Sequence, residues 1–223
     1  MSKHILLVHD LAGYGKVSLS AMMPVLSHMG HHLYTLPTAL VSDFCEQSAK
    51  KGALVFVDPI MGDEGKLYNG VGEETIAHMR KMVAVADCIV PNYTEAAYLA
   101  DMPYHEDMTE EEARALTIRL HEMGAKSVVV TSAKVDGENC VVGYDGTEGE
   151  FFRIPFDLIP VRFVGTGDIF AAVMLGRLVD GVPLQESTRR AMDAVRTMID
   201  RNRDKEDKYL GIPIETCLEV LDE

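Results

Sequence analysis

Basic side chains are scarce in this chain: 21 lysines and arginines face 35 aspartates and glutamates in 223 residues, a formal net charge of −14. Nucleic-acid binding is disfavoured, because it needs a basic surface to displace counterions. An anionic nucleotide stays within reach, since local backbone N–H groups and a metal ion override the global field. Cysteine is sparse too. Cys45, Cys88, Cys140 and Cys217 form no CxxC pair, so free thiols in a reducing cytosol are expected, not disulfides or a zinc site. No apolar run is long enough to span a bilayer. Met1 to His9 turns directly into a short apolar strand, without the basic start or cleavage site of a signal peptide. A cytoplasmic protein is expected. A GxSxG elbow and a GxxxxGK[ST] loop are both missing, which disfavours an α/β-hydrolase and a Walker-type ATPase.

What is present is an apolar fraction of 47%, enough for one well-filled domain over residues 1–223. Apolar runs of strand length alternate with segments of helical period. Strands are expected at Ile5 to His9, Leu33 to Pro37, Ala53 to Val57, Cys88 to Val90 and Ser127 to Thr131. A β-hairpin is expected from Asn139 to Tyr144 and Glu150 to Ile154. Helices are expected at Val17 to Met29, Asp43 to Lys51, Glu73 to Val83, Thr94 to Ala100 and Thr109 to Met123. Three more close the chain: Gly167 to Asp180, Leu184 to Arg203 and Pro213 to Leu221. Thr109 opens its helix as an N-cap followed by three glutamates. His31-His32 reads as an exposed loop before a strand, and the mixed-charge run Arg201 to Lys208 as a solvated helix end. Such alternation implies an α/β fold, a mostly parallel central sheet flanked by helices on both faces. Ligands of such sheets bind beyond the carboxyl ends of the strands.

Polar residues gather at those ends. Gly165-Thr166-Gly167-Asp168 places a small-residue turn before an apolar helix, where free N–H groups and the helix dipole can hold a phosphate. Asp168 either caps that helix or takes a proton from a hydroxyl as its oxygen attacks phosphorus. Asp58, in Val57-Asp58-Pro59-Ile60-Met61-Gly62-Asp63, follows a strand; it is either a turn residue or a carboxylate facing a metal–phosphate. Asn92 and Glu95, in Pro91-Asn92-Tyr93-Thr94-Glu95, are one helical turn apart, which suits either a helix cap or a hydrated Mg²⁺. Thr131-Ser132 puts two hydroxyls at another strand end. His9-Asp10-Leu11-Ala12-Gly13-Tyr14-Gly15 lacks the GxGxxG spacing and reads as substrate-facing, with Asp10 as a hydrogen-bond partner.

Taken in order, these motifs resemble the pyridoxal kinase family of the ribokinase-like superfamily, over almost the whole chain. The resemblance implies ATP-dependent phosphorylation of the 5′-hydroxyl of pyridoxal, pyridoxine or pyridoxamine, in vitamin B6 salvage. It implies Asp168 as base, with Gly165, Thr166 and Gly167 as anion hole. Glu95 and Asp58 would hold Mg²⁺ through waters, while Asn92, Thr131 and Ser132 would contact ATP phosphates. Asp10, with Tyr14 in the neighbouring turn, would face the vitamin. A homodimer paired through the sheet region is implied as well. One departure stands out: members of the family carry a polar segment, a helix and a strand where Ser42 here joins Asp43 directly. Either the natural protein holds a block of several tens of residues that this sequence leaves out, or it has a genuine internal deletion. The alternatives are a hydroxymethylpyrimidine kinase, sharing the phosphate machinery, and, under a real deletion, a non-catalytic vitamin- or nucleotide-binding protein.

Overall fold

The computed structural model describes residues 3–9, 16–37 and 49–222. Asp10, Tyr14, Cys45 and the Ser42–Asp43 junction lie outside the described residues. The chain divides into two compact units, residues 1–40 with 159–223, and residues 41–158.

In the first unit, β1 (His4–His9) pairs in parallel with β2 (His32–Pro37), from His4 opposite His32 to His9 opposite Pro37. Between them runs α1 (Leu19–His28). Helix α5 (Thr166–Val179) is buried continuously from Ile169 to Gly176, as expected of a helix apolar on every side. It packs against α1 and against α6 (Leu184–Asn202), whose apolar residues form one stripe. The expected terminal helix is instead two short 3₁₀ segments, Ile214–Thr216 and Leu218–Asp222. Bonds of i→i+3 type from the Thr216, Cys217 and Val220 N–H groups tighten this stretch, and Cys217 at φ −132° breaks it. His31 is also not the exposed loop residue expected: it is 6% exposed and its Nε2 lies 3.9 Å from Asp180 Oδ2.

In the second unit a five-stranded sheet runs in the order β3-β6-β7-β8-β9. Strands β3 (Phe56–Val57), β6 (Cys88–Ile89) and β7 (Ser127–Val135) are parallel. Val128, Val129 and Val130 are fully buried, which explains their unbroken apolar run. β3 is shorter than expected because Val55 N–H bonds the Asp87 carboxylate at 2.8 Å in place of a ladder partner. β7 is longer than expected. It continues past Thr131 through a bulge and turns at Asp136 (φ 50°) and Gly137 (φ 84°) into antiparallel β8 (Glu138–Asp145). This Asp-Gly pair is the sequence signal for a two-residue hairpin. β9 (Glu150–Pro155) completes the expected second hairpin, so the sheet is mixed. Gly62–Asp63 (β4) and Lys66–Leu67 (β5) form a separate small hairpin. The helices of this unit are α2 (Glu73–Val83), α3 (Tyr93–Ala100) and α4 (Glu110–Glu122). α4 starts in the expected capping box of Thr109 and Glu112. The described cysteines, Cys88, Cys140 and Cys217, are free and buried.

Gly124, between α4 and β7, sits at φ 121° with the Ala84 backbone 2.6 Å from where a Cβ would stand. Strain and overlap act together there, against backbone that cannot swing away. Gly124→Ala is expected to cost about 2 kcal/mol or more, read as a thermal midpoint lowered by roughly 4 °C or more. Gly149→Ala, with open space around its Cβ, carries only the strain of its φ of +74° and should fall less.

Candidate active site

Parallel pairing sets the carboxyl ends of β3, β6 and β7 side by side, and the polar residues follow from that. Asp58 comes directly after β3 and is half-buried. Val90 N–H bonds Val57 O, so Pro91 and Asn92 leave β6 next to it. Asn92 in turn bridges in parallel to Thr131, whose N–H bonds Pro91 O at 3.0 Å. Ser132 is exposed at φ 55°, inside the bulge of β7. A non-glycine residue held in the left-handed region at a bulge is a feature common beside functional sites. Three of the four strand-end motifs expected to meet a nucleotide thus share one sheet edge.

Glu95 organises that edge. Its carboxylate is 3% exposed, and Oε1 accepts from Met61 N–H at 2.7 Å and Gly62 N–H at 3.4 Å. Oε2 accepts from Asn92 N–H at 2.9 Å, while Asn92 Oδ1 accepts from Glu95 N–H at 3.0 Å. The pair is therefore a capping box, with Asn92 outside the helix as N-cap, not two neighbours on one helix face. Asn92 Nδ2 donates to Gly62 O at 2.7 Å, and Thr94 Oγ1 accepts from Gly65 N–H at 2.8 Å. The loop after β3 is stapled to the start of α3 by all these bonds. Gly62 is required there, since a Cβ would lie 2.3 Å from Lys66 O. Burial pushes the Glu95 carboxyl above its ordinary range; the three N–H donors pull it down and Asp63 pushes it up.

The oxygen-only set of Asp58, Glu95 and Asn92 suits a hard cation such as Mg²⁺. Both Glu95 oxygens already accept N–H groups, which fits an ion held through water better than direct coordination. Among the described residues no three His, Cys, Asp or Glu side chains group as a metal site.

In the other unit, Gly165 is the N-cap of α5 at φ 79° and makes no side-chain cap hydrogen bond. A Cβ on Gly165 would lie 2.0 Å from Lys16 O, so only glycine fits this turn. Thr166 Oγ1 donates to Phe163 O at 3.4 Å, and Gly167 is exposed. The first-turn N–H groups carry the positive end of the dipole. Asp168 stands third in the helix with its side chain 12% exposed, and His9 Nε2 is 3.6 Å from its Oδ1. Sequence reasoning placed His9 only at the head of a substrate-facing segment and gave it no link to Asp168, because no spacing rule joins position 9 to position 168. Lys16, which pairs with Glu215 and whose N–H bonds Leu210 O, was likewise missed.

The model of the phosphomethylpyrimidine kinase family matches residues 36–211. The chain is 32% identical over 171 residues to pyridoxal kinase of Arabidopsis thaliana, covering 73% of this chain and 53% of that one. It is 34% identical over 156 residues to the human pyridoxal kinase, covering 61% and 48%. The chain thus spans about half the length of the curated relatives it matches. A Bacteroides thetaiotaomicron protein with the provisional name phosphomethylpyrimidine kinase, crystallised with pyridoxal, superimposes with a TM-score of 0.87 at 28% identity. That match covers 100% of this chain and 96% of the other.

Glu95→Gln keeps the side chain's shape but turns an amide NH₂ toward either Asn92 N–H or the Met61–Gly62 pair. A buried donor facing a donor costs about 1–3 kcal/mol. Thermal melting should drop by roughly 2–10 °C, and an unchanged midpoint would contradict the stapling role.

Proposed function

The chain belongs to the phosphomethylpyrimidine kinase family, and on that premise we propose that it transfers the γ-phosphoryl group of ATP to the 5′-hydroxyl of a B6 vitamer, as a single kinase domain. The observation that carries this reading is the uncapped, glycine-led N-terminus of α5 with Asp168 in its first turn. The pyridoxal kinase relatives and the pyridoxal-bound Bacteroides structure support the substrate class.

The vitamin hydroxyl attacks the γ-phosphorus, an O–P bond forms, and the bond to the ADP oxygen breaks. Asp168 accepts the hydroxyl proton as that bond forms, which requires only a late and modest base. N–H groups around Gly165, Thr166 and Gly167 hold the charge gathering on the phosphoryl oxygens. Thr131, Ser132 and the remaining N–H of the Asn92 amide contact the ATP phosphates. Asp58 and Glu95 would hold, through waters, a Mg²⁺ ion, which would supply neutralisation of phosphate charge. Asp10 and Tyr14, which lie outside the described residues, are the candidates for contact with the vitamin. We further place the protein in the cytoplasm as a homodimer; among the described residues no helix is long and apolar enough to cross a membrane.

A second reading, a hydroxymethylpyrimidine acceptor, is favoured by the description of the matching family model. The sequence Gly13-Tyr14-Gly15 and the Asp63 to Tyr68 stretch weigh toward the B6 vitamer. Comparing kcat/KM for pyridoxal and hydroxymethylpyrimidine under the same ATP concentration decides between them.

Asp168→Asn removes the proton acceptor while leaving the helix turn in place. Turnover is expected to fall by about 10²–10⁴, with ATP affinity by calorimetry nearly unchanged. Near-normal turnover would remove Asp168 from the mechanism.

A further inference from the structure

We infer that His9 is a positioning residue for the Asp168 carboxylate, an inference that rests on the phosphotransfer reading above. Asp168 occupies the third position of α5. A carboxylate at that position readily folds back onto the backbone N–H of the N-cap, as in a capping box. Folding back would put its own negative charge into the turn that has to receive a phosphoryl group. Gly165 provides no side chain to occupy those N–H groups instead. A donor placed outside the helix can hold the carboxylate off the turn.

His9 is in that place. It ends β1, and its Nε2 lies 3.6 Å from Asp168 Oδ1, with the two side chains 14% and 12% exposed. The separation is just beyond a hydrogen bond. Contacts of catalytic groups commonly shorten once substrate is bound. Both ends are fixed by backbone. His9 is in register with Pro37 at the end of a six-residue parallel ladder. The turn before Asp168 is held against the Lys16 carbonyl, where only glycine fits. The imidazole N–H therefore orients Oδ1 and keeps the carboxylate off the first-turn N–H groups. His9 touches no reacting atom in this account; it acts through Asp168.

The test compares full-length wild type, His9→Ala and His9→Gln with ATP and pyridoxal. The Gln amide carries its nitrogen to about the place of Nε2 without imidazole charge. His9→Ala should lower kcat about tenfold, with KM for both substrates within about twofold. His9→Gln should recover kcat to within about threefold of wild type. An unchanged kcat in His9→Ala, a loss confined to KM, or equal impairment of both variants would overturn the inference. A second readout does not depend on turnover: a thermal-melting cycle of His9→Ala, Asp168→Asn and the double variant. Non-additive midpoints support the contact, and additive midpoints overturn it. Should wild type transfer no phosphoryl group, the functional reading fails, while the cycle still decides the His9–Asp168 pair.

Discussion

The carboxylate of Glu95 takes three backbone N–H groups, from Asn92, Met61 and Gly62, and the candidate nucleotide edge of the sheet depends on it. A hydrogen bond to a charged acceptor is worth about 1.5–3 kcal/mol. Here several converge on one buried group that also completes a helix cap. Through them the loop after β3 keeps a fixed place against the start of α3, with Asn92 beside Thr131 on the neighbouring strand. Without that carboxylate, Met61 and Gly62 would have to find other acceptors, and Asn92 would lose half of its box. The same group that we propose as a holder of Mg²⁺ is thus first of all a structural anchor. The two roles are compatible because a carboxylate has more lone pairs than the three N–H groups use.

Charge explains why the chain relies on backbone in this way. With a net charge of −14, it has no basic field to draw a nucleotide in. The anion site we propose is local, in N–H groups at a helix start whose N-cap is a glycine with no side-chain cap hydrogen bond. Glycine at 165 is dictated twice, by its left-handed φ and by the Lys16 carbonyl. Asp168 is the exception that the proposed site must control, a carboxylate in the first turn of the same helix. His9 answers to that constraint.

Much of this was legible in the sequence, for identifiable reasons. The Gly165 to Asp168 turn, the strand-end positions of Asp58, Asn92 and Thr131, and the Thr109 cap are local patterns, and local patterns survive into structure. Kinship with pyridoxal kinases, carried by the ordered motifs, is borne out by the family model and the curated relatives. What escaped was non-local. Neither the His9–Asp168 contact nor the Met61 and Gly62 bonds to Glu95 follow from spacing. Two local misses had other causes. The Asp136-Gly137 hairpin signal was present and overlooked, and the 3₁₀ ending after Pro213 has the same apolar spacing as a helix.

The central claim is phosphoryl transfer to a B6 vitamer by this chain, and product analysis tests it most directly. Purified protein, confirmed folded by its melting transition, is incubated with ATP, Mg²⁺ and pyridoxal, and the mixture is resolved by mass spectrometry. The account predicts pyridoxal 5′-phosphate and ADP in equal amounts, dependent on protein. Folded protein that forms neither product, or that releases ADP and free phosphate with pyridoxal untouched, would contradict it.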